Sequence, residues 1–393
     1  MKKIALIISH PIQHFCPQYV SLAALPDVRL KVFFASSMGY KKYVDKNFNE
    51  EISWGNLRLE EFDHQFLNNG ESLPVDKDLD APGLEQALAD FDPDVLSLHG
   101  YFQKYQRRAY GWGLRHKIAL AYTADSERRH RLSSLKEWIK YPYLWNYFRN
   151  IGYFFSVGDA NEDYYRYYGV PDRKLIRMHF SIDLRCYREA WSRRDQLGSG
   201  VREEFGIQRS ELVLCVVGKL VDWKKQVDII ESLKILEARG ITTTLFVIGS
   251  GGLRETLERK AAELQHSRVI FPGFVKPEDL PGFYAASDIY VHPASLEPHS
   301  LAISEAIYMG CPVVLSDKCG SYGANDDVQD EKNGFVFTCG DIDDLANRLY
   351  KLATDAPRRQ QFSAYSHLLG EKFQERSHGG FIRDLLLKIN GPI

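Results

Sequence analysis

The chain contains no apolar run approaching the roughly 18 to 20 residues of a membrane span. Its start, MKKIALIISH, breaks at His10-Pro11 without a small-residue cleavage site and reads as a first buried strand rather than a signal peptide. Cysteine is sparse and scattered: Cys16, Cys186, Cys215, Cys311, Cys319 and Cys339 form no CxxC pair and no His/Cys cluster at zinc spacing. This pattern excludes a structural zinc module and predicts free thiols in a reducing, cytoplasmic compartment. Charge of one sign is also lacking, since the net charge is −2. A generally basic nucleic-acid binder is therefore not expected. There is no short-period repeat and no low-complexity tract.

What is present is the composition of an ordinary globular protein, 44% apolar and 26% charged, over 393 residues. That length exceeds what one hydrophobic core usually organises, so two domains are expected. Short β-branched apolar runs recur at 4–9, 30–35, 94–100, 118–123 and 153–158, and again at 212–218, 243–249, 269–274, 289–294 and 312–317. Amphipathic segments of helix length fill the intervals. One of them, KKQVDIIESLKILEARG, spaces Val227, Ile230, Leu233 and Leu236 by three to four and stops at Gly240. Buried parallel strands alternating with helices predict two doubly wound α/β domains in tandem. The polar stretch SRRDQLGSGVREE, 192–204, is the linker expected between them.

Ligands of open α/β sheets bind beyond the carboxyl ends of strands, so residues placed there carry the functional argument. In VVGKLVDWKKQ, Gly218 ends a strand, Lys219 follows it, and Lys224 precedes the next helix. Two cations near free helical N–H groups suit a diphosphate, and the alternative is a pair of surface lysines. VIGSGG has glycines at 249, 251 and 252 but lacks the third glycine of a dinucleotide loop at the expected place, so backbone need alone accounts for them equally well. In LEPHSLAISEAIYMG, Glu297 and Glu305 bracket a helix start near Ser300, which leaves the Leu301 and Ala302 amides open to phosphate or sugar oxygens. At ~1.5 Å per residue the carboxylates stand on the order of 10 Å apart, the length of a nucleotide sugar. Both would accept hydrogen bonds from hydroxyls at its two ends. The alternative is one glutamate serving the helix dipole and one solvated. His99 ends an N-terminal strand and Asp125 follows the next, so both face the same sheet edge. Asp341-Ile342-Asp343 matches a metal-diphosphate DxD, but it directly precedes DDLANRLYKLA and reads as a helix cap.

Taken together, KLVDWK, VIGSGG, VIFPGFVKPEDLPGFYAASDIYVHPASLE, the E-x7-E of Glu297 and Glu305, and EAIYMGCPVVLSD resemble the retaining glycosyltransferases of family 4. The resemblance is dense from about 212 to 340 and sparser before it. It implies the GT-B architecture, with two Rossmann-like doubly wound domains facing a cleft: 1–195 for the acceptor, 196–375 for the nucleotide sugar, and a C-terminal helix, 376–393, crossing back to the first. It implies a UDP- or GDP-linked sugar donor, no required cofactor or metal, and a glycan or lipid-linked acceptor in bacterial surface polysaccharide or glycolipid synthesis. Glu297 would take hydroxyls of the donor sugar, Glu305 the ribose, Lys219 and Lys224 the leaving diphosphate, and the backbone of Gly273-Phe274-Val275 the base. Three departures stand out. Glu297-Pro298-His299-Ser300-Leu301 replaces the usual E-x-F-G-L, placing His299 and Ser300 beside the donor. His10-Pro11-Ile12-Gln13-His14 replaces the glycine-rich first loop, and Thr123-Ala124-Asp125 replaces T-x-H. Asp125 then stands where a histidine is usual, with His14 or His99 compensating. A nucleotide-sugar epimerase or hydrolase, and a catalytically silent binder of nucleotide sugar or glycan, are the competing readings.

One charge asymmetry remains. Residues 104–149 carry eleven basic side chains against three acidic ones, interleaved with Trp138, Tyr141, Tyr143, Trp145, Tyr147 and Phe148. Such a segment suits peripheral contact with an anionic membrane at the inner face of the cytoplasmic membrane. Packing of the aromatics against the sheet is the alternative.

Overall fold

The computed structural model describes residues 1–40, 43–45, 50–52, 57–129 and 134–390. The chain forms two compact units: Met1–Val157 with Asn161–Asp183 and Gln374–Ile393, and Gly158–Ala160 with Leu184–Phe373.

In chain order the first unit contains β1 (Lys2–Ile8), α1 (Cys16–Ala23), β2 (Val28–Phe34), β3 (Tyr43–Asp45), β4 (Glu50–Ile52), β5 (His64–Phe66), α2 (Leu84–Phe91), β6 (Val95–His99), α3 (Lys104–Arg115), β7 (Ala119–Thr123), α4 (Ser134–Arg149), β8 (Tyr153–Ser156), most of α5 (Asp159–Tyr167) and β9 (Leu175–Arg177). Seven strands form one parallel sheet in the order β5-β2-β1-β6-β7-β8-β9. β1 is central, with Ile4 opposite Leu30 on one side and Val95 on the other. Helices cover both faces of such a sheet, which is why its strands read as continuous apolar runs. Ile7, Phe33, Leu98 and Tyr122 pack with Leu84 and Trp112 in its core. Strand order reverses between β1 and β6, so the segments after those two strands flank the crevice where such sheets take ligands.

The second unit adds α6 (Leu184–Ser192), α7 (Arg194–Glu204), β10 (Leu212–Val217), α8 (Gln226–Ala238), β11 (Thr243–Ile248), α9 (Arg254–Ala261), β12 (Arg268–Gly273), α10 (Leu280–Ala286), β13 (Ile289–His292), α11 (Leu301–Tyr308), β14 (Val313–Ser316), β15 (Gly334–Phe337), α12 (Ile342–Thr354) and most of α13 (Ala356–Glu375). Its six strands are all parallel, ordered β12-β11-β10-β13-β14-β15, and reverse between β10 and β13. Beyond α13, a π-helical turn at Arg376–Gly380 leads into α14 (Phe381–Asn390), which belongs to the first unit. There Phe381 meets Phe155 edge-on at 4.9 Å and Lys388 Nζ donates to the Arg173 carbonyl at 2.7 Å.

Every apolar run expected as a strand is one, within two residues at each end. The strands that periodicity does not signal are short: β5, β9 and β15 are all at sheet edges, and β3 and β4 pair only with each other. The stretch 192–204 is not a linker. It forms α7, whose Gly198 lies against the backbone of α10, so that a Cβ there would sit 2.6 Å from the Ala285 carbonyl oxygen. Arg202 completes the contact, donating to the Ala286 carbonyl and to Asp288 Oδ2, each at 2.9 Å. Glycines that lower helix propensity in the sequence are here the condition for close packing. Gly198→Ala, normally worth up to ~1 kcal/mol in favour of a helix, is therefore expected to destabilise the second unit by about 1–3 kcal/mol, as overpacking does. Urea unfolding midpoints check the sign. Asp341 does cap α12, its Oδ1 accepting the Asp344 amide at 2.9 Å, so the DxD match is a helix start.

Candidate functional site

β10 delivers the chain to Gly218, whose φ of +154° only glycine holds easily. The glycines of VIGSGG explain themselves here. A Cβ on Gly249 would stand 2.0 Å from the Gly218 carbonyl oxygen, and one on Gly251 2.5 Å from that of Leu220. The two loops run backbone against backbone, with Leu220 N–H on the Ser250 carbonyl at 2.9 Å and Leu253 N–H on the Leu220 carbonyl at 3.1 Å. These glycines hold the Lys219 loop in place and form no dinucleotide loop. A single 3-10 turn, Asp222–Lys224, then brings Lys224 back toward the sheet edge.

There Lys224 Nζ pairs with Oε2 of Glu297, which follows β13 on the other side of the strand-order reversal. His292, the last residue of β13, places Nε2 3.3 Å from the same oxygen, and its Nδ1 lies 3.3 Å from the Tyr290 hydroxyl. Burial alone would raise the Glu297 carboxyl. The His292 bond and the Lys224 ammonium outweigh it and hold the group at about 2, so it is ionised throughout the neutral range. His292 itself is depressed by burial, only partly offset by Glu297, and is a neutral donor. The Glu297 carbonyl is tied down by the Gly320 amide at 2.8 Å.

α11 begins where the sequence places it. Ser300 is its N-cap residue, its amide donating to Ser321 Oγ at 2.9 Å, and the Leu301 and Ala302 amides have no acceptor among the described residues. Glu305 lies inside, accepting the Tyr284 hydroxyl at 2.8 Å. Burial raises its carboxyl to about 7, and hydrogen bonds from Tyr284 and Tyr187 offset only part of that. The Tyr284 and Tyr290 rings are 5.8 Å apart, so one polar-aromatic chain links Glu305 to Glu297. His299 is buried, with Nε2 3.1 Å from Asp327 Oδ2, an oxygen that also receives Ser304 Oγ at 2.6 Å. Gly273 turns with φ +82° and receives the Gly249 amide. Val275 is partly exposed, and the Phe274 ring beside it is 70% exposed, a free face for a planar group.

In the first unit, His99 ends β6 and Asp125 is exposed just beyond β7. His14 sits before α1, its ring 4.3 Å from Phe15, which His99 meets edge-on at 5.1 Å. His14 Nε2 is buried without a partner among the described residues. Burial, then repulsion from His99, lowers His10 to about 4 and His14 to about 3; burial also lowers His99 against the pull of Asp125. All three rings are neutral at pH 7, suited to hydrogen-bonding a hydroxyl rather than to holding a proton. His10, His292, Tyr290, Tyr284 and Asp327 are site members that sequence reasoning missed. His10 and His292 carried a signal, since each stands at the carboxyl end of an apolar run.

Residues 201–368 match the family model described as glycosyl transferases group 1. Two curated relatives share that region. The chain is 32% identical over 196 residues to the GDP-mannose-dependent alpha-(1-6)-phosphatidylinositol monomannoside mannosyltransferase of Mycolicibacterium smegmatis, covering 47% of this chain and 50% of that protein. It is 32% identical over 191 residues to the UDP-Gal:alpha-D-GlcNAc-diphosphoundecaprenol alpha-1,3-galactosyltransferase of Escherichia coli, covering 47% of each. The crystal structure of Anabaena HepE in complex with UDP matches with a TM-score of 0.70 at 19% identity, over 98% of this chain and 99% of that one. The chain is a family 4-like protein with the GT-B fold. The chain spans about half the length of the curated relatives it matches, and the family model lies almost wholly within the second unit of this family 4-like chain.

Proposed function

We propose that this chain is a retaining glycosyltransferase that moves a sugar from a nucleotide diphosphate donor to an acceptor hydroxyl without needing a metal, in surface polysaccharide or glycolipid synthesis. The observation that carries the reading is Lys224 paired with an ionised Glu297 across the strand-order reversal of a group 1 domain, with Glu305 buried one helix turn inside. Lys219, Lys224 and the α11 amides stabilise charge as it grows on the leaving phosphate. Glu297 takes donor-sugar hydroxyls, Glu305 the ribose, and the Gly273–Val275 turn the base. The C1–oxygen bond to the diphosphate breaks as the acceptor oxygen bonds C1 from the same face, and the leaving phosphate takes the acceptor proton. Both curated relatives are named for α-linked products, which from α-linked nucleotide donors means retention. Their names divide between GDP-mannose and UDP-galactose, so the donor is to be found by thermal-shift screening of UDP and GDP sugars. The winner is then assayed with lipid-linked acceptors and the product anomer read by NMR. Donor consumed without acceptor would point instead to a hydrolase or epimerase; tight binding with no turnover on a genuine acceptor would point to a silent binder.

Acceptor chemistry belongs to His14, His99 and Asp125 in this reading. Alanine at each is expected to lower transfer about 10- to 100-fold, the range of a positioned proton-transfer or hydrogen-bonding group, while nucleoside diphosphate affinity stays put. Unchanged transfer in all three variants would remove them from the site.

The membrane reading concerns the first unit. Among the described residues no helix is long and apolar enough to cross a membrane. Tyr147 and Phe148 are core residues, whereas Trp138 is 77% exposed and Ile139, Tyr143 and Trp145 stand beside it in solvent. Part of the basic excess is spent locally: Lys104, Arg108 and Arg115 pair with Asp78, Asp80 and Glu85, and Arg128 lies over the Tyr167 ring. Arg131 lies outside the described residues. We assign the exposed face of α4 to an anionic bilayer, where each remaining cation adds ~1 kcal/mol. Vesicles rich in phosphatidylglycerol should cosediment the protein in a salt-sensitive way. The joint variant Trp138→Ser, Lys140→Gln, Trp145→Ser should be released, and equal recovery on neutral vesicles would refute the assignment.

A further inference from the structure

We propose that His292, set in one tautomer by Tyr290, is a positioning residue that keeps Glu297 aimed at the donor sugar when Lys224 turns to the donor diphosphate. The inference rests on the proposed function and adds a residue to it.

One oxygen of Glu297 serves two donors, since both Lys224 Nζ and His292 Nε2 reach Oε2. In the free protein the ammonium is the stronger partner. A bound diphosphate competes for that ammonium because it brings more negative charge than a single carboxylate. As Lys224 reorients, Glu297 keeps two anchors: the Gly320 amide on its carbonyl, and the His292 N–H on its side chain. Only the second orients the carboxylate.

The imidazole can do this only if its proton is on Nε2. Tyr290 decides the matter, because its hydroxyl is 3.3 Å from Nδ1 and 3.5 Å from the Val217 carbonyl. Burial pushes that phenol well above its ordinary value, so it remains a donor, and a donor facing Nδ1 requires Nδ1 to be the acceptor. The proton order therefore runs from Tyr290 to His292 to Glu297. His292 is 1% exposed and sits on a strand in register with Leu315 on β14, so the ring has no freedom to drift. Being neutral, it orients the carboxylate without adding a second cation to compete for the leaving phosphate. A lysine or arginine in its place would do so.

The test uses His292→Leu, His292→Gln and Tyr290→Phe in the whole chain. Glutamine carries an amide N–H close to where Nε2–H lies, and leucine fills the space with no donor. With the donor found by screening, His292→Leu should lose about 10- to 100-fold in kcat/KM, the scale of a misplaced reacting group. Binding of UDP or GDP alone should be unmoved, and His292→Gln should recover most of the loss. In 15N-histidine spectra, the resonance absent from His292→Gln should show the neutral Nε2–H form, and Tyr290→Phe should shift it toward a mixture of tautomers. Wild-type donor use by His292→Leu overturns the proposal, as does a His292→Gln variant that is equally stable yet no more active than His292→Leu. An Nδ1–H resonance overturns it as well. If the wild-type chain uses no nucleotide sugar at all, the proposed function fails, and the tautomer spectra alone then uphold or overturn the Tyr290–His292–Glu297 order.

Discussion

Replacing Lys224 by alanine is expected to lower turnover by about 10² to 10³-fold, the effect of removing one preorganised charge from a developing oxyanion. Lys219→Ala should act in the same direction. The loss should appear in kcat as well as KM, because negative charge on the leaving phosphate is greatest in the transition state. Lys224→Ala also takes the cation from Glu297, a partly buried carboxylate. His292 still donates to that carboxylate, so the fold should survive with a modest drop in urea midpoint, and nucleoside diphosphate affinity should fall. Turnover at the wild-type level in both variants would take the lysines out of the mechanism.

The two glutamates should separate by ligand. Glu305→Ala is expected to weaken binding of the free nucleoside diphosphate, whereas Glu297→Ala should spare it and cut use of the intact donor about 10- to 100-fold, as loss of a positioning contact does. The reverse pattern in calorimetry would exchange their roles. Glu305 adds a pH signature. Its carboxyl is raised from 4.5 to about 7 by burial. Between those values the native chain keeps a proton that the unfolded chain has released. Its contribution to stability is thus complete below pH 4.5 and lost as pH rises through 7. The shift is worth ~3 kcal/mol. Glu305→Gln keeps an acceptor for Tyr284 and cannot ionise, so it should flatten this decline, which urea midpoints at about pH 5 and pH 8 would show. The same titration should strengthen nucleotide binding on the alkaline side, since an ionised carboxylate is the better acceptor for ribose hydroxyls.

The strand runs, the helix over 226–238 and the Lys219, Lys224, Glu297 and Glu305 positions were legible in the sequence because each depends on local order along the chain. An apolar run ending in glycine places whatever follows it at a sheet edge, and a helix start after a short loop leaves amides open, wherever the rest of the chain lies. The short edge strands were not legible, because three or four residues with one side unpaired carry no periodic signal. Nor was α7. Gly198 and Gly200 look like linker residues until α10 is known to press its backbone onto Gly198.

What the sequence determined by itself is the pair of parallel α/β sheets and the kinds of charge stationed at their carboxyl edges, since both follow from spacing and side-chain chemistry. Tertiary structure alone decided how those charges are held. His292 reads as one more strand residue until β10 and β13 are neighbours and its ring meets Glu297. Tyr284 is 21 residues from the Glu305 it serves, and Asp327 is 28 from His299. Burial, which sends two glutamates eight positions apart to about 2 and about 7, is a property of the packed surroundings and of nothing adjacent in the chain.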